Sequence, residues 1–75
     1  PLAAKEDTLR MFEHLESELD AAGFLYPPEK RPSMVRNLRT IFMKAELTDQ
    51  EVRSMRGVIT ALSGRRFRKV EQGDG

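Results

Sequence analysis

The side chains of this sequence best suited to chemistry are its cations. Lys30, Arg31, Arg36, Arg39, Lys44, Arg53, Arg56, Arg65 and Arg66 follow one another through the second part of the chain, and Arg68 and Lys69 extend the series. A cation that neutralises a phosphate releases condensed counterions, which is the sequence-independent part of nucleic-acid affinity. The same residues on a solvated helix face, or paired with carboxylates of another helix, bind nothing. Charge is strongly divided along the chain. Residues 1 to 29 hold two cations, Lys5 and Arg10, against seven carboxylates, a net charge of −5. Residues 30 to 75 hold eleven cations against five carboxylates, a net charge of +6. Such a split indicates either an anionic partner for the second part or attraction between helices. Arg56 lies next to the buried arc of its helix, where it could instead pair with a carboxylate of the first helix or with helix-terminal carbonyls.

Other chemistry finds little support. His14 is the single histidine, has no companion at metal-ligand spacing, and reads as a surface or edge residue. Glu16 and Asp20 stand one helical turn apart, but carboxylates at that spacing are commonplace on solvated helices and imply no pocket. Without cysteine there is no thiolate nucleophile and no disulfide. There is also no glycine-rich phosphate loop and no Ser/His/Asp set. The sequence therefore assigns no catalytic, cofactor-binding or metal-binding residue, and no apolar run reaches the length of a membrane span.

The elements that must carry these cations are helical. Seventy-five residues make one domain with room for about three short helices, and a start at Pro1 suggests a domain cut from something longer. Residues 1 to 6 read as the end of a linker. In residues 7 to 22, Phe12, Leu15, Leu19 and Ala22 recur at spacings of three and four with Met11 on the flank, which predicts an amphipathic helix stopped by Gly23. Residues 23 to 32 hold three prolines and predict a loop, with Phe24 and Leu25 folded under as a lid on the core and Ser33 capping the next helix.

The second helix, residues 32 to 45, carries Met34, Val35, Leu38, Ile41, Phe42 and Ala45 as one apolar stripe and is expected to be the centre of the core. Arg36 and Arg39, with Met43 between them, would face solvent. TDQE at 48 to 51 has the form of a capping box. The third helix should run over residues 49 to 62, burying Val52, Met55, Ile59 and Leu62 with Val58 at the edge, and end at Ser63 and Gly64. Gly57 in its middle suggests the close approach of another backbone. Residues 65 to 75 read as a flexible basic tail, leaving about 7 to 64 ordered. The fold expected is all-α: a small three-helix bundle with a proline-rich loop between helices 1 and 2 and a short capped turn between helices 2 and 3.

Several spaced patterns in one order carry a family resemblance: F-x-H-L-E at Phe12, His14, Leu15 and Glu16; Gly23 with Phe24; M-x-x-x-L-R-x-x-F-x-K-A from Met34 to Ala45; and E-x-x-x-M-R-G-V-I from Glu51 to Ile59. In these the chain resembles the C-terminal domain of the TrmJ-type tRNA/rRNA 2′-O-methyltransferases of the SpoU class, over about residues 9 to 62. The resemblance implies an accessory tRNA-binding domain of an S-adenosylmethionine-dependent 2′-O-ribose methyltransferase. It also implies a homodimeric full-length protein whose N-terminal knotted α/β domain binds that cofactor and methylates tRNA in the anticodon loop, or rRNA; a cytoplasmic protein is the default expectation from the lack of cysteine. None of the first domain's motifs falls within these residues, so no catalytic residue is carried over. Arg39, Lys44 and Arg56 stand at family-like positions. The alternative is a protein-interaction module that docks on and stabilises the catalytic dimer without touching RNA. A DNA-binding helix-turn-helix ranks behind both, because the connection between helices 2 and 3 lacks the glycine such turns often contain.

Overall fold

A computed structural model describes the backbone of residues 1 to 72 and the side chains through Gly64. It contains three α-helices: α1 (Lys5–Ala21), α2 (Arg31–Ala45) and α3 (Asp49–Gln72), with a 3-10 turn over Pro28–Lys30 that runs directly into α2. The all-α, three-helix architecture predicted from the sequence is the one observed. No helix among the described residues is long and apolar enough to cross a membrane.

α1 begins at Lys5, earlier than its apolar spacing alone indicates, because the residues before it are held. Leu2 forms an isolated antiparallel bridge with Thr48, and the Ala3 N–H donates to the Leu47 carbonyl at 3.1 Å. Glu6 and Asp7 lie in the first turn, where negative charge complements the helix dipole. The helix stops as its glycine predicts. Gly23 takes φ +76°, its N–H donates to the Asp20 carbonyl, and the Phe24 N–H reaches back to the Leu19 carbonyl at 3.0 Å. This pair of bonds is a Schellman cap, which satisfies two carbonyls that the helix end would otherwise leave bare.

The start of α2 departs from expectation. Ser33 does not cap it: the N-cap is Lys30, without a side-chain cap, and Pro32 sits inside the first turn. A proline there costs little, since the first N–H groups of a helix have no intrahelical acceptor. α2 ends at Glu46 in the left-handed conformation, φ 50°. The capping box then forms as read: the Glu51 N–H donates to Thr48 Oγ1 at 3.2 Å, and the Thr48 N–H donates to Glu51 Oε1 at 2.9 Å. α3 continues past Ser63 and Gly64 to Gln72, so glycine does not terminate it. Nor does Gly57 mark a close approach among the described residues, for it is exposed and a Cβ built on it meets nothing within 4 Å.

The core also differs. It lies between α1 and α3, where Met11, Phe12, Val52 and Ile59 are buried, with Leu15, Phe42, Leu47 and Met55 packed against them. Met11, expected on the flank, is fully enclosed at 0% exposure. α2 buries no residue completely, and Ile41, expected within its apolar stripe, is 60% exposed. Leu62 is likewise turned outward. Of the proposed lid only Leu25 is buried, while Phe24 is exposed. The Cα envelope of 42 × 35 × 16 Å is correspondingly flat.

Candidate nucleic-acid interface

What fixes the rotation of α2 is charge. Glu16, on the buried side of α1 and 8% exposed, accepts two hydrogen bonds from Arg39, from Nε at 2.7 Å and Nη2 at 2.9 Å. Arg39 Cζ lies 5.2 Å from the centroid of the Phe12 ring, close enough for a cation–π contact. Phe12 in turn meets Phe42 with ring centroids 6.4 Å apart at a tilt of 56°. One turn further along α1, Asp20 accepts the same two-pronged contact from Arg31, at 3.0 and 2.7 Å. A guanidinium fork matches a carboxylate in two parallel bonds, which adds orientation to attraction. Two such forks therefore set α2 on α1, and its half-buried arc takes in Arg31, Met34, Val35, Leu38, Arg39 and Phe42.

The shifts in acidity follow from these contacts. Hydrogen bonding from Arg31 holds the Asp20 carboxyl below its ordinary value, with desolvation opposing and the charge of Arg31 assisting. Arg31 is raised by its bonds to Asp20 and by that residue's charge. Arg39 is raised chiefly by its bonds to Glu16, against the effect of burial.

The predicted cationic residues thus divide. Arg31 and Arg39 hold the helices together. Arg56, at the edge of the core, donates from Nε to His14 Nδ1 at 3.1 Å, so it pairs with α1 as anticipated, though through an imidazole rather than a carboxylate. Arg53 makes an exposed contact one turn back to Asp49 at 3.0 Å, of the kind that solvent screens to near nothing. Lys30, Arg36 and Lys44 are exposed and enter no ion pair among the described residues. The side chains of Arg65 and Arg66, like Arg68 and Lys69, lie outside the described residues. Of the predicted cations among the described residues, those readily available are therefore Lys30 at the end of the proline loop, Arg36 and Lys44 on the outer side of α2, and Arg53 on α3.

Sequence reasoning passed over Glu16 and His14 as structural partners. For Glu16 the one signal available was spacing: Phe12, Glu16 and Asp20 repeat every fourth residue, so a carboxylate on that row faces the same way as the core aromatic. Next to the Arg39 anchor, Leu2, Leu9, Phe42, Met43 and Leu47 wall an open apolar depression. A second one on α3 is bordered by Arg53, Arg56, Gly57 and Thr60. Among the described residues no cluster of three or more His, Cys, Asp or Glu could hold a metal ion.

Comparison with known proteins gives a consistent assignment. Residues 6–74 match the family model described as the C-terminal domain of the tRNA methyltransferase TrmJ. The chain is 35% identical over 63 residues to the tRNA (cytidine/uridine-2′-O-)-methyltransferase TrmJ of Klebsiella pneumoniae, a match covering 83% of this chain and 25% of that protein. It also superposes on the crystal structure of TrmJ from Z. mobilis ZM4 with a TM-score of 0.78 and 37% identity, over 83% of this chain and 28% of that one. The chain thus spans about a quarter of the length of the relatives it matches.

Proposed function

As the chain belongs to the family of TrmJ C-terminal domains, we propose that it is the accessory tRNA-binding domain of an RNA 2′-O-ribose methyltransferase. The observation that carries this reading is the division of its cations. Arg31 and Arg39 are held by carboxylates, whereas Lys30, Arg36 and Lys44 stand exposed without a partner among the described residues. Unneutralised cations on one side of a rigid helix suit a polyanion whose phosphates can be met one by one.

In the whole protein a catalytic domain N-terminal to this one would complete the enzyme, with a homodimeric assembly in the cytoplasm and tRNA, or rRNA, as substrate. S-adenosylmethionine would supply the methyl group there. The residues described here do not fit that cofactor. The depression on α3 offers Arg53 and Arg56 but no carboxylate to face its sulfonium, and the one beside Arg39 is an open surface whose carboxylates, Glu6 and Glu46, are exposed. No step of methyl transfer is therefore assigned to this chain.

The test is filter binding of a transcribed tRNA, from low to physiological salt, by the chain and by its Lys30→Gln/Arg36→Gln/Lys44→Gln variant. Loss of up to three phosphate contacts should weaken binding and flatten the log-affinity against log-salt slope by about two to three, at roughly 0.7 to 0.9 per contact. Circular dichroism should report equal helix content. Identical affinities and slopes would favour the second reading, a module that docks on the catalytic part. Support for that reading comes from the exposed Leu2, Leu9 and Met43 around the apolar depression.

A further inference from the structure

The proline loop presents a feature that phosphate contacts leave unexplained. Phe24 is 53% exposed and Tyr26 is 71% exposed, while Leu25 between them is buried at 6%. The loop thus anchors itself through its aliphatic residue and turns both aromatics outward, although burying an aromatic ring is normally the larger gain. The segment is also well held. The Phe24 N–H is bonded to Leu19, the Lys30 N–H to the Pro27 carbonyl at 2.9 Å, and the Asp20–Arg31 fork ties its two ends together. Pro27 and Pro28 restrict the backbone further. Exposed rings on a constrained backbone lose little conformational freedom when something stacks on them.

We propose, building on the RNA-contact reading above, that Phe24 and Tyr26 form a stacking platform for unpaired nucleobases, with Lys30 taking an adjacent phosphate. Every base offers a π-face to an aromatic side chain, and Lys30, an exposed cation at the end of the same loop, can meet a phosphate of the strand that follows. Asp20, the nearby acidic residue at the end of α1, is neutralised by Arg31, which leaves Glu29 as the one carboxylate of the loop itself. Bases inside an A-form duplex are already stacked on one another, so the platform selects single-stranded loops over paired stems. The surface here is aromatic, whereas the large exposed aliphatic side chains, Leu2, Ile41 and Met43 among them, lie on other segments.

The chain supplies its own probe, because Tyr26 is its one tyrosine and it has no tryptophan. Tyrosine emission should be titrated with an RNA hairpin bearing an unpaired loop, with a blunt RNA duplex of equal length, and with polyphosphate at matched ionic strength. The hairpin should quench Tyr26, and the duplex and polyphosphate should not. In filter binding, Phe24→Ala/Tyr26→Ala should lose about tenfold or more in hairpin affinity, the range reported for removal of a stacked aromatic. Its duplex affinity and salt slope should stay unchanged, and Tyr26→Phe should retain hairpin affinity. Hairpin binding that leaves emission unaltered, with the double variant equal to the parent, would overturn the platform while leaving phosphate contact intact. The same result would reassign the rings to a protein partner. Failure to bind either RNA would overturn this proposal and the RNA-contact reading together.

Discussion

Arg39 of α2 closes on Glu16 of α1 through two hydrogen bonds, at 2.7 and 2.9 Å, while its guanidinium lies over Phe12. The carboxylate side chain is only 10% exposed, whereas the arginine is 36% exposed. A half-open arginine therefore serves as the counter-charge that lets a carboxylate sit beside the core, and it does so on a helix that buries no residue completely. The contact decides which way α2 faces. That orientation determines which cations remain available to a partner.

The first prediction follows from that asymmetry. Arg39→Gln should destabilise the chain by about 1 to 3 kcal/mol, because it leaves Glu16 desolvated without its charge-assisted bonds. Arg39→Lys should recover only part of the loss, since an ammonium cannot make the two-pronged contact. Glu16→Gln combined with Arg39→Gln should cost less than Arg39→Gln alone. Urea denaturation of the three variants measures this, and an unchanged midpoint for Arg39→Gln would show that the fork contributes nothing.

The second fork gives a pH dependence. Hydrogen bonds from Arg31 hold the Asp20 carboxyl below its ordinary 3.8, so the folded state binds that proton less readily than the unfolded chain. A depressed folded value means a contribution present above the unfolded value and lost as pH falls through the folded one. Asp20→Asn should therefore lower the denaturation midpoint at neutral pH, and the gap from the parent should close below about pH 4. A gap that persists at about pH 2 would show that asparagine removes something other than the ion pair.

Much of the fold was legible because it rests on local chemistry. Gly23 ends α1 and Thr48 with Glu51 opens α3, since both caps are written in residues three to five apart. Most of the core was legible too, with Phe12, Leu15, Val52, Met55 and Ile59 where their spacing put them, but its centre was wrongly given to α2, because periodicity identifies an apolar arc without saying what covers it. In α2 the arc from Met34 through Ile41 to Ala45 satisfies the pattern, yet the helix is turned by Arg31 and Arg39 towards carboxylates that lie 11 and 23 residues back in sequence. The same two arginines read as candidates for phosphate, because a single sequence gives cations no way to declare their partners. Gly57 invited a packing explanation, but the glycine is exposed and its Cβ space is open.

The last prediction sets the observed core against the apparent one. Met11 is fully enclosed between α1 and α3, whereas Ile41 is 60% exposed on α2. Truncating an enclosed methionine removes its transfer free energy and leaves a cavity that neighbours fill only in part, so Met11→Ala should cost about 2 to 5 kcal/mol. Truncating a mostly exposed isoleucine removes little burial, and Ile41→Ala should stay within about 0.5 kcal/mol of the parent. In an 8.6 kDa domain the first loss can approach the whole stability. Met11→Leu, which keeps the volume, is then the informative companion and should cost less than about 1.5 kcal/mol. Thermal and urea unfolding of Met11→Ala, Met11→Leu and Ile41→Ala make the comparison. If Ile41→Ala proved the more damaging of the two truncations, α2 would have to pack through its Ile41 side in solution, and the orientation set by Arg39 and Glu16 would be wrong.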